Sequence, residues 1–190
     1  MQRLVRPALS LLALWTVILG IAYPMAITGL AKAAFPAQAA GSLIHRDGRL
    51  IGSTLIGQDF SQPRYFWSRP SATVPQAYNA LASSGSNLGP LNPALLEAVR
   101  AKAQALRAAD PGNGQPIPVD LVTASASGLD PEISLAAAHY QAARVARTRS
   151  LPLEQVEALI AAHERGPLFG LVGERRVNVL ELNLALDRVH

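Results

Sequence analysis

The stretch 120–134, which reads DLVTASASGLDPEIS, has the residue types that could bind an anion. Its small residues, Ser127 and Gly128 among them, follow a predicted strand and lead to Asp130, where we expect a helix to begin. Free backbone N–H groups at the start of a helix bind phosphate and similar anions. In the alternative interpretation, Asp130 is an ordinary N-cap and the small residues allow close packing. Residue types alone favour this structural interpretation.

The helix predicted after Asp130 runs to about Arg149 and carries Gln141, Arg144 and Arg147. Their polar and charged types are typical of a solvated helix face, and arginines in the last turns suit the helix dipole. Apolar residues at helical spacing predict a buried face on the other side. That face consists of Ile133, Ala137, Tyr140 and Val145.

Two other stretches are candidates for contact with a partner. YFWSRPSA, at 65–72, places Tyr65, Phe66 and Trp67 beside Arg69. Aromatic residues and arginine dominate binding hot spots, so these four could anchor an interface, or they could form a small core under a loop. SSGSNLGPLNP, at 83–93, could line a polar surface but is more typical of a turn-rich connection.

The chain lacks the motifs of the common enzyme classes. It has no cysteine, no Walker phosphate loop, no H-E-x-x-H, no G-x-S-x-G and no Asp-Lys-Thr-Gly-Thr phosphorylation sequence. The histidines, at 45, 139, 163 and 190, are scattered, which argues against a metal site. We therefore predict no catalytic residue and no metal ligand, and a chain that is not an independent enzyme.

An uncharged apolar run from Ala8 to Leu30 is long enough to cross a bilayer as a helix. We expect residues 1–7 in the cytoplasm, a membrane helix over 8–30, a linker over 31–41 and a soluble domain over 42–190. Trp15, Tyr23 and Pro24 lie in the run, and a proline there favours a packed partner helix. A cleaved signal peptide is the alternative, although its apolar region is usually shorter. Two arginines before the run and one lysine after it place the soluble domain outside the cytoplasm.

The chain has 190 residues and a formal charge of +4, but residues 41–190 carry 14 basic and 13 acidic groups. The soluble domain is therefore nearly neutral and its arginines are spread out, which argues against nucleic-acid binding. Its pattern predicts an α+β fold with a small antiparallel sheet and about four helices. The predicted elements are a hairpin of 42–45 and 50–56 with an Asp47-Gly48 turn, a strand over 119–123, and helices over 92–110, 130–149 and 152–165, the first with Asn92 as its N-cap. The last segment, VNVLELNLALD, alternates apolar and polar residues as a strand does, but Asn178 and Glu181 have capping-box spacing, and we predict a helix.

Several of these stretches, in order, resemble the C subunit of the Kdp potassium-transporting ATPase. They include GSTLIGQDF, YFWSRPSA, YNALASSGSNLGPLNP, DLVTASASGLDPEIS and GERRVNVLELNLALD, and the resemblance covers nearly the whole chain. One departure is Glu132, where the family has a histidine after Asp-Pro.

The resemblance implies a single-span accessory subunit of a bacterial inner-membrane pump. Its partners would be a potassium-carrying A subunit, an ATP-hydrolysing B subunit and a small F subunit, together with the lipid membrane. The family's C subunit is described as a catalytic chaperone that raises the ATP affinity of the B subunit. A glutamine linked to nucleotide contact matches Gln141, and Ser127, Gly128 and Asp130 precede it.

This implied nucleotide contact conflicts with the orientation that the charges predict, because ATP is cytoplasmic. ATP would then be a cofactor of the chain only indirectly, or shared with the B subunit. An external domain could instead cover or shape the potassium entrance of the A subunit. A secreted enzyme and a membrane-tethered ligand-binding module remain less favoured alternatives.

Overall fold

A computed structural model describes residues 2–167 and 169–189, with the side chains of residues 4–167 and 169–189. The chain divides into two compact units between Ser53 and Thr54. The hairpin that the sequence predicts lies in the first unit, together with the N-terminal helix. The predicted division into a cytoplasmic N-terminus, a membrane helix, a linker and a soluble domain remains a prediction.

The first unit begins with a long helix that is interrupted by one wider turn. Helix α1 (Gln2–Val17) passes into a π-helical turn (Ile18–Ala22) and then into α2 (Tyr23–Ala34). The N–H of Tyr23 donates to the carbonyl of Ile18, so the wider turn precedes Pro24, which has no N–H to donate. Over Leu4–Ala34 the helix is 31 residues long and apolar enough to span a membrane.

The predicted linker is largely helical, since α2 extends to Ala34 and a short α3 (Pro36–Ala39) follows. The hairpin then forms as predicted, from β1 (Leu43–Arg46) and β2 (Arg49–Ser53), which pair antiparallel. Asp47 and Gly48 form its turn, with φ values of +52° and +73°. Asp-Gly is favoured here because both central residues of a type I′ turn have positive φ.

The second unit has an α+β fold, as predicted. Four α-helices lie among its described residues: α4 (Pro93–Ala109), α5 (Leu135–Arg149), α6 (Leu153–Ala162) and α7 (Val179–Leu186). A small antiparallel sheet in the order β3-β5-β4 joins β3 (Glu132–Ser134), β4 (Glu164–Arg165) and β5 (Arg176–Asn178). Residues 54–92 contain no helix or strand.

The core of this unit lies between the helices and the sheet. It includes the predicted buried face of α5 and extends to α6, β5 and α7. Helix α7 begins as its capping-box sequence predicts, because Asn178 accepts a hydrogen bond from the N–H of Glu181. The core residues with the largest side chains include Phe66, Leu106, Leu121, Ile133, Ile160, Leu182 and Leu186.

Two predicted elements are wrong, and the helix predicted over 152–165 is too long, since α6 ends at Ala162 and residues 164–165 form β4. Residues 119–123 are not a strand but contain a 3₁₀ turn, Val119–Leu121, whose Asp120 faces the start of α5. The second helix does not begin at Asp130: residues 132–134 form β3, and Ser134 is the N-cap of α5. Pairing of β3 with β5 explains the difference, because Ile133 lies opposite Val177 across a sheet that the local pattern does not reveal.

Candidate functional site

Ser127, Gly128 and Asp130 lie in one loop, residues 125–131, which we call the connecting loop. Three of the N–H groups in and next to this loop are already bonded within it. Gly128 donates to Oγ of Ser125 at 2.9 Å, Leu129 to Oγ of Ser127 at 3.1 Å, and Glu132 to Oδ1 of Asp130 at 3.0 Å. These groups therefore do not form the set of free donors that an anion site requires.

The N-terminus of α5 is occupied by a carboxylate of the chain itself. Asp120 accepts a hydrogen bond from the N–H of Ser134 at 2.8 Å and another from its hydroxyl at 3.2 Å. The hydroxyl of Ser134 in turn caps the N–H of Ala137 at 3.0 Å. Asp120 offsets the positive end of the helix dipole, and a phosphate would be repelled there. Nucleotide binding by the connecting loop thus stays a prediction that the geometry does not favour.

The connecting loop instead joins distant parts of the chain. Four of its backbone carbonyls, at Ser127, Gly128, Leu129 and Pro131, each accept a hydrogen bond from a different segment. The donors are the N–H of Ser84, the hydroxyl of Ser71, the N–H of Gly57 and the N–H of Val179, at 2.7–3.0 Å. The long segment 54–92 is therefore held in place although it forms no regular structure.

Two glycines allow these segments to approach so closely. A Cβ on Gly128, which has a φ of +66°, would lie 2.6 Å from Cγ2 of Thr73 and 2.7 Å from the carbonyl oxygen of Ser84. A Cβ on Gly57 would lie 2.3 Å from the ring of Tyr78 and 2.7 Å from the carbonyl oxygen of Asp130. Neither position leaves room for a side chain.

Arg69 binds the connecting loop from its exposed side. Its guanidinium donates to Oδ2 of Asp130 at 2.8 Å, and both side chains are about one-quarter exposed. The pair borders a cleft of about 470 Å³ in which Glu132 also lies. Glu132 bonds Arg176 at 2.5 Å and Arg165 at 3.4 Å. Glu132 thus pairs with two neighbouring arginines, of which Arg165 is also paired with Glu181 at 2.5 Å.

Gln141 is only 1% exposed, and its side-chain amide is fully bonded. Its Oε1 accepts the N–H of Trp67 at 2.8 Å, while its Nε2 donates to the carbonyls of Trp67 and Ala137, both at 3.2 Å. The side chain therefore pairs with the backbone of Trp67 as a neighbouring strand would. In this arrangement Gln141 faces the protein interior and contacts segment 54–92.

Asn183, on α7, forms the same pair of hydrogen bonds with the backbone of Phe66, the residue before Trp67. Its Oδ1 accepts the N–H of Phe66 at 2.9 Å, and its Nδ2 donates to the Phe66 carbonyl at 3.0 Å. Asn183 is 2% exposed. The side-chain amides of Gln141 on α5 and Asn183 on α7 thus hold the backbone of the consecutive residues 66 and 67. The sequence analysis missed Asn183, although a lone asparagine among the leucines of α7 is a signal for a buried polar contact.

The prediction that Gln141 and Arg144 lie on a solvated face is wrong, because both are buried. The Arg144 guanidinium donates to the carbonyls of Pro63 and Tyr65 and, at 2.6 Å, to Oε1 of Gln141. It also lies 4.8 Å from the centre of the Trp67 ring. Burial lowers the pKa of Arg144 to about 10, which still leaves it charged at neutral pH.

The four candidate interface residues at 65–69 differ in their surroundings. Phe66 and Trp67 are buried in the core of this chain, which accounts for their aromatic character without a partner. Tyr65 is half-buried, with Arg149 at 4.9 Å from its ring centre and its hydroxyl 3.2 Å from Asp187. A role for these residues and Arg69 in an interface remains a prediction.

The two aromatic residues of the membrane helix, Trp15 and Tyr23, are exposed within this chain. That Trp15, Tyr23 and Pro24 contact a partner subunit remains a prediction.

Residues 5–188 match the family described as KdpC: K+-transporting ATPase, c chain. The chain is similar to proteins named Potassium-transporting ATPase KdpC subunit from several bacteria. It is 67% identical to that of Variovorax paradoxus over 187 residues, which are 98% of this chain and 97% of the relative. It is 65% identical to the protein of Polaromonas naphthalenivorans, over 98% of this chain and 95% of the relative. It is 64% identical to the protein of Methylococcus capsulatus, over 96% of this chain and 96% of the relative.

Proposed function

Because the chain belongs to the KdpC family of potassium-transporting ATPase subunits, we propose that it is a non-catalytic subunit that raises the ATP affinity of the hydrolysing subunit. Its family makes it an accessory subunit of a potassium-uptake pump, anchored by one apolar helix. In the proposed role it assists assembly and acts as a catalytic chaperone. Its partners would be the A, B and F subunits that the resemblance implies.

The family match carries this proposal, and the burial of Gln141 supports an effect on ATP affinity without direct contact with the nucleotide. The Gln141 amide bonds the backbone of Trp67, and the Arg144 guanidinium occupies its remaining acceptor site. A nucleotide could reach Gln141 only after these buried bonds had broken, which would leave several polar groups unsatisfied. The influence on ATP affinity therefore passes through contacts between protein subunits. Such coupling requires only that two states of the pump contact this subunit differently.

The charges that flank the membrane helix support an extracytoplasmic second unit. Arg3 and Arg6 precede the apolar run, and Lys32 follows it. Positive residues are retained on the cytoplasmic side, so the N-terminus would be cytoplasmic and residues after the helix external. This orientation also removes the second unit from the ATP pool.

An alternative function follows from the same orientation. An external domain attached to the pump lies on the side where potassium enters, and it could cover or shape the entrance of the A subunit. The near balance of basic and acidic residues in 41–190 suits this role, since a strongly positive cover would repel the ion.

The experiment that tests the proposal compares ATP hydrolysis by the purified pump with and without this chain. We expect the apparent KM for ATP to rise several-fold without it, and potassium affinity to change little. A change in potassium affinity at constant KM for ATP would favour the alternative. An assembled pump with unchanged KM and potassium affinity would contradict both.

The orientation is tested by replacing Ala161, which is exposed on α6, with cysteine in this cysteine-free chain. A membrane-impermeant thiol reagent should label Ala161→Cys in intact cells. Protection in intact cells, followed by labelling after lysis, would show the opposite orientation. Direct contact with ATP would then become the leading mechanism.

A further inference from the structure

Residues 70–96, which we call the uncharged segment, form a long stretch of surface without a charge. The 27 residues between Arg69 and Glu97 include no Asp, Glu, Lys or Arg. Most of them are nevertheless exposed. Protein surfaces are normally rich in charged side chains, whereas the cores of protein interfaces are depleted of them.

Large apolar side chains project from this segment. Leu81 is 98% exposed and Leu91 is 94% exposed, and Val74 and Leu96 are also exposed. A single exposed leucine is ordinary on a protein surface. Several in a stretch that also lacks charge indicate a surface that is covered in the assembled protein.

A groove lies between the uncharged segment and the first half of α4. Its volume is about 420 Å³, and most of its lining residues are small or apolar, among them Leu88, Leu95, Ala98 and Val122, with Lys102 as the one charged residue. The only buried residue of α4 is Leu106, near the end of the helix. The first half of α4 thus presents apolar side chains that the described part of the chain does not cover.

The uncharged segment is held in one conformation between residues 71 and 84, although it lacks regular structure there. The hydroxyl of Ser71 accepts the N–H of Tyr78 at 2.9 Å, and that of Thr73 donates to the carbonyl of Gln76 at 2.7 Å. The Tyr78 hydroxyl donates to the Arg69 carbonyl at 2.5 Å. The N–H of Ser84 bonds the connecting loop at 2.9 Å. A surface already held in one conformation loses little entropy on binding, which favours its use for recognition.

We propose that the uncharged segment and the first half of α4 are the docking surface for a membrane-embedded subunit of the same pump. This inference rests on the proposed function and names the surface through which the subunits would be coupled. The partner surface that faces residues 70–96 would itself be uncharged, because a charge buried against this segment would find no ion-pair partner. Against the first half of α4 it would meet Glu97 and Arg100, which are exposed. Anionic lipid head groups are a poorer fit, since they require basic residues that the segment lacks.

The test replaces a single exposed leucine by glutamate in the full chain, expressed with the other subunits. Leu81→Glu and Leu91→Glu should each reduce the amount of the other subunits recovered with the chain by about tenfold or more, because an unpaired carboxylate would be buried. Leu153→Glu is the matched control, since Leu153 is an exposed leucine outside the segment and is followed by the charged Glu154. Thermal melting of each chain alone should be unchanged, which would exclude misfolding.

A photo-crosslinking amino acid at position 81 or 91 identifies the occupant directly, with position 104 on α4 as control. Crosslinks to another pump subunit at 81 or 91 would support the inference. Crosslinks to a second copy of the chain, to lipid only, or to nothing would overturn it. An equal loss of the other subunits with Leu153→Glu would also overturn it. If crosslinks fail while the chain still lowers the KM for ATP, this surface is wrong and the proposed function stands. If crosslinks form while the KM for ATP is the same with and without the chain, the docking surface is supported and the proposed function is wrong.

Discussion

Replacing Gln141 by alanine should destabilise the protein without removing any direct contact with a nucleotide. The change leaves the N–H and carbonyl of Trp67 and one Arg144 donor without their present partners, all of them buried. Each unsatisfied buried group costs about 1–3 kcal/mol, so relaxation of the site would leave a net loss of about 3 kcal/mol. For a domain of this size that loss lowers the melting temperature by about 10 °C.

Asn183→Ala is the matched control, because Asn183 bonds the backbone of Phe66 in the same way. No interpretation of the sequence places Asn183 near a nucleotide. If both side chains act by fixing residues 66 and 67, the two variants should lose similar stability and raise the apparent KM for ATP to a similar degree.

Two assays on the full chain decide the matter: thermal unfolding followed by circular dichroism, and ATP titration of the assembled pump. The reasoning would be refuted by a Gln141→Ala chain that melts as the native one does while its pump has a raised KM for ATP. It would also be refuted if Asn183→Ala lost stability but left the KM unchanged.

Two further predictions concern the packing around Tyr78. Burial raises the pKa of Tyr78 to about 12, so its contribution to stability is present below pH 10 and is lost as the pH rises from 10 to 12. Urea unfolding should show a loss of stability of about 2–3 kcal/mol over this range. The loss should be smaller in Tyr78→Phe, in which Tyr140, whose pKa burial also raises, still titrates. Gly57→Ala should cost about 2 kcal/mol or more, because its Cβ would overlap the Tyr78 ring, whereas Gly89→Ala meets no neighbouring atom within 4 Å and should be neutral in the same assay.

Local patterns predicted the elements that local forces determine. The Asp-Gly turn formed the hairpin, Asn92 and Asn178 capped α4 and α7, and the apolar spacing identified the buried face of α5. Each of these depends on residues within a few positions of each other.

The errors arose where distant segments compete with local preference. Asp130 has the local sequence of an N-cap, but pairing of β3 with β5 delays the helix to Leu135. Gln141 and Arg144 have the types of a solvated face, but their bonding partners lie 74 and 81 residues away at Trp67 and Pro63. The backbone N–H and carbonyl groups of a segment without regular structure need hydrogen-bond partners, and buried polar side chains supply them. The periodicity of the sequence does not show which side chains do so.

The position of Gln141 would also remove the conflict between the proposed effect on ATP affinity and the predicted external location of the second unit. The uncharged segment begins at residue 70, three residues after Trp67, whose backbone Gln141 fixes. Loss of Gln141 would therefore loosen the start of the proposed docking surface as well as the core. A side chain that never meets ATP would then alter ATP affinity by weakening the contact through which the subunits are coupled. On this reasoning Gln141→Ala and Leu81→Glu should raise the KM for ATP in the same direction, but only Gln141→Ala should lower the melting temperature of the chain alone.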